Sequence, residues 1–191
     1  MAFFIIVIGA VAAVALLTGG SLSRIKELRF KHTWLVLVAV GLKIITGSSL
    51  RYTFHIADPL APKLYMLSLA LVALFVLLNL RLRGFAFIGL GLLSNLLAIF
   101  ANGGHMPIKE EYFLLAASAE ELARVEQGLA AFNYIPAGPD TKFYFLADIF
   151  AIPNVVVYSV GDIFIVLGGC IFVWCLLKDR TKSYFLKNMY Y

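Results

Sequence analysis

The chain has 191 residues, 62% of them hydrophobic and 14% charged, with a formal net charge of +5 and a mean hydropathy of +0.91. Such a composition supplies one small helical bundle and little for a separate soluble domain, so residues 1–191 read as a single domain. Nor does the positive balance point to nucleic acid, because the basic residues are scattered through loops and do not gather with aromatics into one groove-like patch.

Five long apolar runs, Ala2–Leu17, Trp34–Leu50, Lys63–Leu80, Phe85–Ala101 and Val155–Leu177, each approach the ~20 apolar residues that cross ~30 Å of hydrocarbon. In lipid every backbone amide must be satisfied internally, and continuous rather than alternating hydrophobicity selects helices over a closed barrel. The expected architecture is all-α: an integral membrane bundle of five transmembrane helices, with an external segment over 102–154.

The first run opens without a basic segment, which argues against a cleaved signal and for a retained helix, and it breaks at Thr18-Gly19-Gly20. The loop after it carries Arg24, Lys26, Arg29 and Lys31, the third-to-fourth connection Arg81 and Arg83, and the tail Lys178, Arg180, Lys182 and Lys187. With five spans these three segments share one side. Arg51, Lys63, Lys109, Arg124 and Lys142 fall on the other, spread over longer sequence among most of the acidic residues. The positive-inside bias then puts the N-terminus outside and the C-terminus in the cytoplasm.

Trp34 starts the second helix at the level where amphipathic aromatics favour the interface. That helix is expected to reach Leu50, with an extension towards Phe54 open, before a loop containing His55 and the turn signal Asp58-Pro59. Helices three and four, joined only by Arg81-Leu82-Arg83-Gly84, must lie as an antiparallel pair. No two glycines stand four apart, so the strict GxxxG motif is absent, although Gly9 and Ala13 leave room for close packing.

Within the external segment Ser118-Ala119-Glu120-Glu121 matches the S-x-x-E capping box. Leu122, Val125, Leu129 and Phe132 follow at helical spacing and predict an amphipathic helix that caps the mouth of the bundle. Pro136-Ala137-Gly138-Pro139-Asp140 then makes a turn, and Phe143–Ile152 returns the chain as a re-entrant or interfacial stretch to Pro153. Cys170 and Cys175, five residues apart, point to different helix faces and read as core thiols.

An ionisable group inside a bilayer is a functional hypothesis by default. Lys43 lies nine residues beyond Trp34, hence ~13 Å along its helix, and Asp162 lies fifteen residues before Leu177, hence ~22 Å from the cytoplasmic end. Asn95 is mid-way along helix four beside Ser94, and Asn102 follows two turns later on nearly the same face. These groups are expected to form a polar cluster in the outer half of the bundle. Three readings stay open: Lys43 snorkels while Asp162 caps a helix, the two make a register-fixing pair, or they line a ligand site.

The string Ala101-Asn102-Gly103-Gly104-His105-Met106-Pro107 serves either as a helix stop or as a turn whose exposed amides bind a headgroup. His105 beside Met106 is a weak pair of metal or haem ligands. No histidine lies mid-span to hold a transmembrane haem, and His55 and His105, even with Asp58 or Asp148, lack zinc spacing. Asp148 and Asp162 on the outer side suit acid–base work, a divalent ion on a phosphate-bearing lipid, or ordinary capping. No signature identifies a nucleophile or a nucleotide site.

Four strings, Arg81-Leu82-Arg83-Gly84, Asn95 with Ala101–Pro107, Ala147-Asp148-Ile149 with Pro153, and Ser159-Val160-Gly161-Asp162, carry a resemblance. In their order the chain resembles a bacterial multi-pass membrane family catalogued only as a domain of unknown function. Members of that family tend to have Gly-Asp-Ile where this chain has Ala147-Asp148-Ile149, which keeps the carboxylate without the glycine. The resemblance implies a similar bundle in bacterial cytoplasmic membranes and no activity.

The leading expectation is a non-catalytic membrane protein that binds a lipid-like or small amphipathic ligand in an outer-facing pocket. Lys43, Asn95, Asn102, Gly103, Gly104, His105, Asp148 and Asp162 would line it, with no catalytic residue and no metal. The sequence specifies no cofactor. Membrane lipids and a partner membrane subunit are the expected partners, which leaves three alternatives: an accessory subunit of a larger membrane complex, a lipid-headgroup enzyme and a small transporter.

Overall fold

A computed structural model describes residues 2–57, 59–116, 119–127, 134–153 and 155–178. Its helices are α1 (Ala2–Leu17), α2 (Trp34–Thr46), the single turn α3 (Leu50–Thr53), α4 (Ala61–Leu78), α5 (Phe85–Ala101), α6 (Glu110–Ala116), α7 (Ala119–Glu126) and α8 (Val160–Lys178). Four three-residue strands join them: β1 (Met106–Ile108), β2 (Tyr134–Pro136), β3 (Phe150–Ile152) and β4 (Val156–Tyr158). The protein is thus mostly helical, with a little sheet that the apolar runs did not announce.

Each apolar run becomes one long helix, and the largest boundary shifts fall in the second and last runs. Helix α2 ends at Thr46 rather than Leu50, where Gly47 donates to Lys43 O at 2.9 Å and the Thr46 hydroxyl to Leu42 O at 2.9 Å. The chain resumes as the turn α3. The last run starts as strand β4, because Ser159 intervenes as the cap that begins α8. Helices α4 and α8 are long and apolar enough to cross a membrane, whereas α1, α2 and α5 are shorter apolar helices. Large apolar side chains face outward, with Ile5, Leu37 and Phe100 each 71% exposed.

Across the bundle α2 lies on α4, α4 on α5, α5 on α8 and α8 on α1. The antiparallel α4–α5 pair follows from its short connection, which turns at Gly84 with φ +88°. The α5–α8 contact rests on two pairs of glycines: a Cβ at Gly161 would lie 2.7 Å from Gly91 O, and one at Gly84 would collide with the backbone of Gly168. Gly84, which caps α5, and Gly91 within it are seven residues apart, as are Gly161 and Gly168 of α8, so each pair sits on one face. This close approach is the work that GxxxG does elsewhere.

At the end where α4 and α8 finish, Phe30 packs 5.6 Å from Phe75 and 6.1 Å from both Phe85 and Phe172. Basic loops gather at that same end. Arg24 Nη1 donates to Leu177 O, Lys178 Nζ to Thr18 O, and Arg83 Nη1 reaches Cys175 Sγ at 3.9 Å. Arg24 there meets the negative pole and a terminal carbonyl of α8, and Lys178 a terminal carbonyl just after α1.

Two asparagines fasten loops in the same manner. Asn79, after α4, donates Nδ2 to Phe75 O and to Lys31 O while accepting from Lys31 N, at 2.8, 3.0 and 2.9 Å. Asn102, after α5, repeats this with Ala98 O, Lys142 O and Lys142 N at 2.8, 2.8 and 2.9 Å. In both cases the next residue is left-handed, His32 at φ 55° and Phe143 at φ 52°. A flat amide thus pairs with a backbone as a strand would and holds a neighbouring angle that a bulky residue rarely adopts.

At the opposite end β1 pairs in parallel with β2, Met106 opposite Tyr134, and β3 pairs with β4 as an antiparallel hairpin, Phe150 opposite Tyr158. The predicted amphipathic helix is present in part as α7, and its Leu122 packs on Ile108 and Phe113. Ser118 of its expected capping box, Leu129, Phe132 and Asp58 lie outside the described residues. The return stretch contains only a 3-10 turn, Tyr144–Leu146, before β3.

Candidate functional site

The site begins with the start of α8. Ser159, Val160, Gly161 and Asp162 form an S-x-x-D capping box: Asp162 N donates to Ser159 Oγ and Ser159 N to Asp162 Oδ2, both at 3.1 Å. Two amides that a helix start leaves unpaired are satisfied reciprocally, and the carboxylate sits at the positive pole of the helix. Asn95 of α5 spans the pair, donating Nδ2 to Asp162 Oδ1 at 3.0 Å and accepting from Ser159 Oγ at 2.8 Å. The glycine faces make this reach possible, because a Cβ at Gly161 would run into the Asn95 amide.

Asn95 and Asp162 therefore meet, and their immediate role is to seat α8 on α5. Both Asp162 oxygens accept a hydrogen bond. Lys43 stands apart. It is exposed at the edge of the buried face of α2, which Leu35, Ala39 and Thr46 define. Val36, seven residues earlier on the same side, packs against the cluster of Phe75 and Phe85, so the Lys43 side of α2 faces inward across the bundle. The charge of Asp162 acts on Lys43, yet the two form no ion pair within 4.0 Å.

Asp148 is reached through the sheet. Its N donates to Pro107 O at 2.9 Å and its O accepts from Lys109 N at 3.1 Å, which pins it beside β1. The residue is 7% exposed, and its Oδ1 is buried without a hydrogen-bond partner. Burial, reinforced by the charge of Asp162, pushes the Asp148 carboxyl up to about 7. Tyr65 of α4, 7% exposed, lies in the field of both carboxylates.

The Asn-Gly-Gly corner behaves as a helix stop. Gly104 N donates to Ile99 O at 2.9 Å, the long bond of a Schellman ending, with Gly103 and Gly104 at φ +72° and +93°. A Cβ at Gly104 would lie 2.6 Å from Pro62 Cβ, so the corner also packs on the start of α4. Asn102 is occupied by Lys142, and His105 leads into the fully buried β1. An open depression of about 500 Å³ lies over the neighbouring surface, lined by Lys109, Glu110, Glu111, Ala137 and Tyr144 and by none of the corner residues.

Of the eight expected site residues, the structure joins Asn95 to Asp162 directly and sets Lys43 and Asp148 within the field of Asp162. Asn102, Gly103 and Gly104 instead build the corner that holds the 142–148 segment. Ser159 and Tyr65 were missed. The first was legible as the S-x-x-D pattern; the second, an aromatic in an apolar helix, carried no signal. Arg51, read as an outer-loop charge, is 2% exposed with its guanidinium 5.3 Å from the Tyr52 ring centroid.

This arrangement of α5, its corner and the capped α8 is what the comparisons with known proteins cover. The profile of a family described as "Family of unknown function (DUF5317)" matches residues 27–174. The chain belongs to that family. No curated protein and no solved structure matches it.

Proposed function

We propose that this chain is a five-span bacterial inner-membrane protein, N-terminus outside and C-terminus cytoplasmic. Catalysing no reaction of its own, it binds a lipid-like or small amphipathic ligand at its outer end. Support for the spans comes from the outward apolar side chains of the long helices, which in water would make patches far larger than soluble proteins carry. The 13 residues of α2 rise only ~20 Å, and α3 supplies a further turn. Arg24, Arg83 and Lys178 at one end support the orientation through the positive-inside bias. Labelling Lys26→Cys and Lys142→Cys in intact cells tests it: the outer position should react with an impermeant maleimide, the inner one only after permeabilisation.

One observation carries the ligand reading. Lys43, a cation in an apolar helix, lies in the field of Asp162 without an ion pair to it, so a charge in an apolar setting is left for a polar headgroup to meet. Lys43→Met should change which amphiphile, or how much of it, co-purifies with the protein in native mass spectrometry. An identical spectrum from both would refute the reading. Chemistry by paired carboxylates is weakened, because Asp162 is held on both oxygens by Ser159 and Asn95 and only Asp148 keeps an unengaged one.

A further inference from the structure

The outer end holds three formal charges whose fields reach Asp162 or issue from it: Lys43 from α2, Asp162 from α8 and Asp148 from the segment beside β1. One carboxylate, Asp162, is engaged on both oxygens by Asn95 and Ser159. The second, Asp148, has no cation of its own, and its Oδ1 is buried with nothing to accept from. Around it stand Tyr65 of α4 and Asp162, while His105 and Lys109 flank the paired strand. Lys109 is turned to Glu111, 2.6 Å away.

A buried carboxylate oxygen without a donor is costly, and either a proton or a cation removes the cost. An anionic headgroup would meet two carboxylates. A divalent metal lacks ligands, because no group of three or more His, Cys, Asp or Glu suited to a metal exists among the described residues. A monocation bearing N–H donors fits: it supplies the missing hydrogen bond to Oδ1 and the missing charge.

Resting on the amphiphile-binding reading above, we propose that the ligand carries an ammonium headgroup, which binds Asp148 in exchange for its proton. The balance is simple: the O–H bond of the protonated carboxyl breaks, the proton leaves to solvent, and an N–H···O hydrogen bond takes its place. With burial holding the Asp148 carboxyl up at about 7, apparent affinity should be about tenfold higher at pH 8 than at pH 6.

The test uses the full chain in maltoside micelles, titrated with octylammonium, octyl phosphate and octanol. Thermal shift and the infrared carbonyl band of a protonated carboxylic acid are followed together. Octylammonium should raise Tm with the tenfold pH dependence and should remove the carboxylic-acid band at pH 6.5. Asp148→Asn should lack both effects; if that variant does not fold, the wild-type infrared titration decides alone. A pH-independent effect of octylammonium, or stabilisation by octyl phosphate or octanol instead, overturns the ammonium assignment and leaves the amphiphile site standing. No response to any of the three, with Lys43→Met identical to wild type, removes both.

Discussion

Replacing Asp148 with asparagine isolates the energetic consequence of burying an unengaged carboxyl. The folded protein holds this group at about 7, against an ordinary value of 3.8, chiefly by desolvation and secondarily by the charge of Asp162. A carboxyl raised in the folded state favours folding fully below the unfolded value, and that contribution disappears as pH climbs through the folded one. The loss therefore runs from about pH 4 to about pH 7 and amounts to roughly 4 kcal/mol at about 1.4 kcal/mol per pH unit. Asparagine has nearly the same shape and no proton to lose. Asp148→Asn should match the wild type near pH 4 and exceed it above pH 7, by roughly 8–15 °C in Tm for a chain of this size. Thermal unfolding in mild detergent across pH 4–8.5, compared as a difference between the two proteins so that other titrations cancel, measures it. Parallel pH profiles, or an asparagine variant that loses stability uniformly, would refute the burial argument.

Asn95→Ala removes the bridge between α5 and the capped start of α8 and leaves Asp162 Oδ1 without its donor, so unfolding free energy should fall by about 2–4 kcal/mol. A double-mutant cycle with Ser159→Ala should show strong coupling, and additive losses would separate the two residues. Gly91→Ala and Gly168→Ala force a Cβ against the facing helix backbone and should give an aggregated or strongly destabilised protein by size-exclusion chromatography, whereas Gly9→Ala and Gly41→Ala, with nothing within 4 Å, should behave as wild type. Asn102→Ala should accelerate amide exchange around Lys142 to Asp148 and leave the Lys31 loop unchanged; Asn79→Ala should do the reverse.

The helical skeleton was legible because continuous hydrophobicity over 16 to 19 residues, as in α1, α4, α5 and α8, leaves a backbone few other ways to satisfy its amides. The antiparallel pairing of α4 and α5 was legible too, since four residues allow no other course. Local spacing also carried Asn95 and Asp162 to the same end of the bundle, and the paired glycines to a helix stop. Other features depended on residues distant in sequence. The glycines at 84, 91, 161 and 168 form a contact only once α5 and α8 lie antiparallel, and no window along one helix contains both partners. Asn79 and Asn102 are ordinary helix-terminal residues until Lys31 and Lys142 are brought alongside. Asp148 read equally as a site carboxylate or a cap, and its buried, unpartnered oxygen results from pairing with β1 some forty residues earlier. Periodicity and composition therefore determined which segments are helices and where charge is scarce; the tertiary structure decided which polar groups find partners, because a hydrogen bond across the bundle depends on packing that sequence neighbours do not encode.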